Sequence, residues 1–123
     1  MDVELKVTPD RYLPHRYAGA SGDFNPIHID VDFAKQVGLP SNILHGLYSM
    51  AQVARACTQA AGGDPRSLRR LSVQFRGMGF PGQEITVTGS ERERRDGRVV
   101  VELEAQQNGN RIIRNAVAEI EDY

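Results

Sequence analysis

The sequence predicts an α+β fold, with an antiparallel sheet of about five strands wrapped around one long helix. Three features carry that expectation. One 19-residue run, "HGLYSMAQVARACTQAAGG", keeps small or apolar residues at helical spacing and closes on two glycines. Four later segments are rich in β-branched residues with rough alternation. Asp96-Gly97 and Asn108-Gly109 sit between the last three of them, and two-residue hairpin turns favour such dipeptides because both central positions need positive φ.

Taken in order, "VELKV" reads as a first strand. In "RYLPHRYAGASGD", Pro14 allows at most a short or broken helix. "DVDFAKQVG" reads as a small helix with Asp30 as N-cap and Gly38 as terminator, so "YAGASGDFNPIHID" falls mostly in a loop between two small helices. In the long helix, Leu47, Met50, Ala51, Ala54, Cys57, Thr58 and Ala61 form the expected inner face. Small residues there suit close packing against a sheet. "SLRRLSVQFRGM", "EITVTGSERERR", "RVVVELEAQQN" and "RIIRNAVAEIED" supply the remaining strands.

A chain of 123 residues fits a single domain over 1–123, with one core and little left for a second. Hydrophobic residues at 40% and charged residues at 25% are ordinary globular usage, and no run is long enough to cross a bilayer. The opening "MDVELKVTPD" is charged where a signal peptide needs an apolar core, so a cytoplasmic location is expected. A formal charge of -1 argues against a nucleic-acid partner, which would need a substantial positive field. The single cysteine, Cys57, excludes an intrachain disulfide and a thiolate-rich metal site, and reads as core filler.

The chemistry concentrates in "GDFNPIH" and in the later "HG". Asp23 and His28 are five apart, which on a helix points them to separate sides. Asn25-Pro26 forces a turn between them, and Asn25 can bond that turn and steady the carboxylate. A carboxylate and an imidazole on one water can remove one proton and deliver another, as adding water across a polarised double bond requires. Gly46, opening the long helix behind His45, offers a backbone N–H where an enolate oxygen would form.

"YAGASGDFNPIHIDVDFAKQVGLPSNILHG" resembles the signature of the MaoC-like hydratases and dehydratases, a likeness that runs from about Tyr17 into the long helix and extends more weakly over "QFRGMGFPGQEITVTG". The combination G-D-x-N-P-x-H followed by H-G is far more specific than any dipeptide in it. The resemblance implies a hot-dog fold, and reversible hydration of trans-2-enoyl thioesters carried on CoA or acyl carrier protein, giving the R product. It matches Asp23 and His28 to the catalytic pair, Asn25 to the supporting amide and Gly46 to the donor facing the thioester oxygen. Which of the pair acts as acid and which as base stays open, since coupled groups share their titration. The stretch ahead of the signature is shorter than in many relatives, and Pro14 interrupts a segment that is often a regular helix there.

Competing readings are weaker. A metal on Asp23, His28 and His45 lacks any paired ligand spacing such as H-x-H or H-E-x-x-H, and no cofactor is called for. Ser21 in "GASGD" lacks the final glycine of a nucleophile elbow. His45 is read as support for the oxyanion turn, Tyr48 as packing or acyl-pocket wall, and His15 as solvent-facing. Arg92, Arg94, Arg95 and Arg98 in "ERERRDGR" form an exposed hairpin or, alternatively, attract CoA phosphates or an acidic carrier; Arg69, Arg70 and Arg76 are equal candidates, with Arg76 taken as the substrate contact. A thioesterase on the same fold is the first functional rival, and a subunit lending part of a tunnel to a partner is the second. Exposed sheet edges favour a homodimer, with a heterodimer of two hot-dog chains as the alternative.

Overall fold

The computed structural model describes residues 1–121. Strand β1 (Asp2–Val7) is followed by helices α1 (Leu13–Ser21), α2 (Pro26–Ile29), α3 (Val31–Gln36) and α4 (Gly46–Ala60). A single 3-10 turn, Pro65–Ser67, leads into β2 (Leu68–Phe75), β3 (Ile85–Arg95), β4 (Arg98–Gln107) and β5 (Asn110–Glu121). The strands form one antiparallel sheet in the order β1-β3-β4-β5-β2, with α4 against one face. This is the hot-dog arrangement.

The centre of the sheet is laid down locally. Asp96 and Gly97 at φ 53 and 75, and Asn108 and Gly109 at φ 51 and 77, make two-residue turns that set β3 against β4 and β4 against β5. In those registers Val99 faces Ile120, Val101 faces Ala118 and Ala105 faces Ile113. All six are fully or almost fully buried against α4, while Thr88, Ser90, Glu102 and Glu104 alternate onto the outer face.

Helix α4 presents the expected face only in part: Cys57 is buried and Met50 and Ala61 pack against the core. Tyr48, Ser49, Val53, Ala56 and Cys57 are buried, whereas Leu47 is 63% exposed and Ala51 faces solvent. Apolar or small residues occupy two adjoining stripes of this helix, and sequence spacing alone chose the neighbouring one. The conclusion about size survives: Ser49, Val53, Ala56 and Cys57 let the helix lie close to the sheet. Burial pushes the Cys57 thiol up to about 11, so it is a packing group.

Pro14 does not break α1. It occupies the first turn, where its missing N–H costs no intrahelical bond, and the helix continues regularly to a left-handed cap at Gly22, φ 82. Among the described residues no helix is long and apolar enough to cross a membrane.

Candidate active site

The site is built where α1 ends, α2 begins and α4 begins. Gly22 turns the chain out of α1, and Asp23 follows with its side chain about half exposed. Asn25 then caps α2: its Oδ1 accepts from the Ile27 N–H at 3.2 Å, while its own backbone N–H donates to Asp23 Oδ1 at 3.2 Å. The carboxylate is therefore steadied by the Asn25 main chain, with the amide side chain committed to the helix. Pro26 opens α2, which buries His28, so the segment expected to be mostly loop is mostly helical: residues 17–21 lie in α1, Pro26–Ile29 in α2, and only residues 22–25 turn between them.

His28 Nδ1 lies 2.8 Å from the Ile43 carbonyl. A carbonyl only accepts, so Nδ1 carries the proton and Nε2 of the neutral ring is left bare. That bare nitrogen faces Asp23 Oδ2 at 3.7 Å, beyond direct hydrogen-bond length. Two acceptors thus face one another across a gap suited to a molecule with two protons to donate. The ring's backbone is equally fixed: buried Asn42 donates from Nδ2 to the His28 carbonyl at 2.9 Å, and the Ile43 N–H bonds the Ile27 carbonyl at 3.0 Å.

His45 is buried and stacks on His28 at 3.9 Å with 22° between the rings. Its Nε2 donates to the Asp23 carbonyl at 3.0 Å, tying the start of α4 to the acid's backbone, and the Tyr17 ring packs against it at 4.8 Å between centroids. Its Nδ1 has no partner among the described residues. Ligand atoms of Asp23, His28 and His45 lie within 4.8 Å of one another. Imidazole lone pairs lie in the ring plane, however, so two nearly parallel rings do not aim at one point, and His45 Nε2 is already committed. The geometry suits proton handling by Asp23 and His28, with His45 holding the acid's backbone, better than a cation.

Gly46 is the first residue of α4, so its N–H belongs to the set a helix leaves without an intrahelical acceptor. A Cβ there would stand 3.2 Å from the Phe75 ring, so only glycine lets that ring lie this close to the start of α4. Tyr48 is a core residue, edge-on to Tyr17 at 5.9 Å, and burial raises its phenol above the ordinary range. Arg76 is exposed beside Phe75 and bonds Gln74.

The "ERERRDGR" arginines are spoken for: Arg92 pairs with Glu102, Arg94 with Glu91, Arg95 with Glu93 and Arg98 with Glu119. Their hairpin tip pairs with the Glu121 end of β5, whereas Phe75 pairs with Ile113 near the other end. A trough of about 670 Å³ lies on the sheet's outer face, lined by Thr88, Ser90, Arg92, Glu102, Glu104 and Arg114 among others, away from Asp23 and His28. Sequence reasoning missed Asn42, Tyr17 and Phe75.

The family model described as a MaoC like domain matches residues 2–111. A fatty acid synthase subunit beta of Aspergillus oryzae is 40% identical over 95 residues, which is 76% of this chain and 5% of the relative. A peroxisomal enoyl-CoA hydratase 2 of Arabidopsis thaliana is 36% identical over 83 residues, 67% of this chain and 26% of the relative. The chain therefore spans a minor part of these curated relatives. The (R)-hydratase from A. caviae involved in PHA biosynthesis shares the fold at TM-score 0.90 and 20% identity, over 100% of this chain and 95% of that one.

Proposed function

Because the chain belongs to the MaoC-like family, we propose that it is a hydro-lyase of fatty-acyl metabolism, reversibly adding water to trans-2-enoyl thioesters to give (R)-3-hydroxyacyl thioesters. The observation that carries this reading is the gap of 3.7 Å between His28 Nε2 and Asp23 Oδ2, both acceptors. One water seated there donates both its protons to the pair and keeps a lone pair for attack. As its oxygen bonds C3 of the substrate, one proton passes to the pair and the alkene electrons move toward the thioester oxygen. The Gly46 N–H, at the positive end of α4, receives that charge. A proton from the pair then reaches C2, so water is added in full and the pair returns to its starting state.

Asp23 and His28 touch the reacting atoms in this scheme, while Asn25 and His45 are positioning residues. Tyr48 supports the site from the core. We place the chain in one domain over 1–123 and in the cytoplasm. Two open sheet edges, β1 and β2, and the exposed Phe24, Leu47, Phe75 and Met78 support pairing with a second hot-dog chain, a copy of itself by default.

The test is incubation with enoyl and saturated acyl thioesters. Hydration predicts loss of the conjugated-alkene absorbance with no thiol released. Free thiol from the saturated compound would replace this reading with hydrolysis. Sedimentation of the purified chain distinguishes a homodimer from a subunit that needs another chain.

A further inference from the structure

Helix α2 has only four residues, too few to stand alone, and a helix leaves its last carbonyls without intrahelical donors. In α2 three such carbonyls in a row are taken by donors from elsewhere in the chain. The Ile43 N–H donates to the Ile27 carbonyl at 3.0 Å, Asn42 Nδ2 to the His28 carbonyl at 2.9 Å and His15 Nε2 to the Ile29 carbonyl at 3.1 Å. The first is a main-chain bond, independent of the side chain at that position. The other two depend on residue type. Asn42 is buried, and its Oδ1 accepts from Ser41 Oγ at 3.1 Å, which fixes the end of the amide that faces α2. His15 is exposed, so its ring fills no core space.

What these two donors connect gives them a role. His15 lies in α1, the helix whose Gly22 cap delivers Asp23, so its bond ties the carboxylate's helix to the imidazole's. Asn42 lies in the segment that leads to Gly46, so its bond ties the imidazole's helix to the start of α4. It also precedes Ile43, whose carbonyl holds the His28 Nδ1 proton. The other end of α2 is already joined to the carboxylate, through the Asn25 N–H on Asp23 Oδ1. We propose that His15 and Asn42 are positioning residues for hydration, clamping the carbonyl end of α2 so that the 3.7 Å gap between His28 Nε2 and Asp23 Oδ2 is kept. This rests on the hydration reading above. Neither side chain touches the reacting atoms; each acts through the α2 backbone, where a displacement of about 1 Å is enough to slow a reaction by about a hundredfold.

The exposed His15 is the direct test. His15→Ala should lower kcat for enoyl-thioester hydration about tenfold at unchanged KM, with Tm close to that of the wild type. His15→Gln, whose amide can donate to the same carbonyl, should restore most of the rate. Asn42→Leu should lower kcat further, by about a hundredfold, and lower Tm as well, because it strands a buried carbonyl. The ring 15N signals of His28 read the clamp without turnover and should shift or broaden in both His15→Ala and Asn42→Leu. Wild-type kcat in His15→Ala, a loss that glutamine does not restore, or unchanged His28 signals in either variant overturns the inference. A wild-type chain that hydrates no enoyl thioester, but whose His28 signals move in both variants, sinks the hydration reading and leaves the clamp standing.

Discussion

The β3–β4–β5 meander and the segment from Gly22 to Gly46 are held together in opposite ways. In the meander, main chain pairs with main chain, two left-handed turns set the register, and valines, isoleucines and alanines alternate onto α4. In the other segment, side chains pair with main chain: His28 with the Ile43 carbonyl, His45 with the Asp23 carbonyl, Asn42 with the His28 carbonyl, Asn25 with the Ile27 N–H. The first arrangement tolerates exchange of one apolar side chain for another. The second spends the side chains of Asn25, His28, Asn42 and His45 on specific main-chain atoms, and leaves His28 Nε2 facing Asp23 Oδ2.

The largest consequence concerns turnover. Asp23→Asn or His28→Ala should lower enoyl-thioester hydration by about a hundred- to ten-thousandfold. The exposed Asp23 position should show almost no change in Tm, and a parallel fall of Tm and rate would erase the distinction between the two regions. The converse case is Gly89→Ala in β3. Its Cβ would stand 2.8 Å from the Glu102 carbonyl and 2.7 Å from the Leu103 side chain, so stability should fall by about 1–3 kcal/mol while rate per folded molecule is kept.

A pH effect of similar size belongs to the core. The Cys57 thiol ionises at about 11 in the folded chain against an ordinary 9.0, so the unfolded chain loses its proton first. The stabilisation is whole below pH 9 and is lost as pH rises toward 11, amounting to about 2–3 kcal/mol. Denaturant midpoints across that range should fall in the wild type more than in Cys57→Ala. The smallest effect is expected at the outer face: Arg92→Ala breaks a half-exposed pair with Glu102 at 3.3 Å and should change stability by less than about 1 kcal/mol.

These differences also explain what the sequence disclosed. Both hairpins were legible because Asp96-Gly97 and Asn108-Gly109 need no distant partner to dictate their turns. The pairing of Asp23 with His28 was legible through the forced turn at Asn25-Pro26. The buried face of α4 was not, because Leu47 and Tyr48 are both apolar and only the tertiary fold decides which one faces the sheet. Pro14 marks a short helix, as its sequence context allows, but from the first turn it starts α1 rather than interrupting it. Phe75 over Gly46 and Asn42 under His28 are contacts between distant parts of the chain, and no local pattern encodes them.

The central claim is that His28 presents a bare Nε2 to Asp23 because its Nδ1 proton is held by the Ile43 carbonyl. Long-range nitrogen–proton NMR correlation of the 15N-histidine-labelled chain near neutral pH reads the tautomer of that ring directly. The account predicts the proton on Nδ1 of His28. A proton found on Nε2 of the neutral ring would make His28 a donor toward the carboxylate, leave the Ile43 carbonyl without its partner, and contradict the water-holding pair.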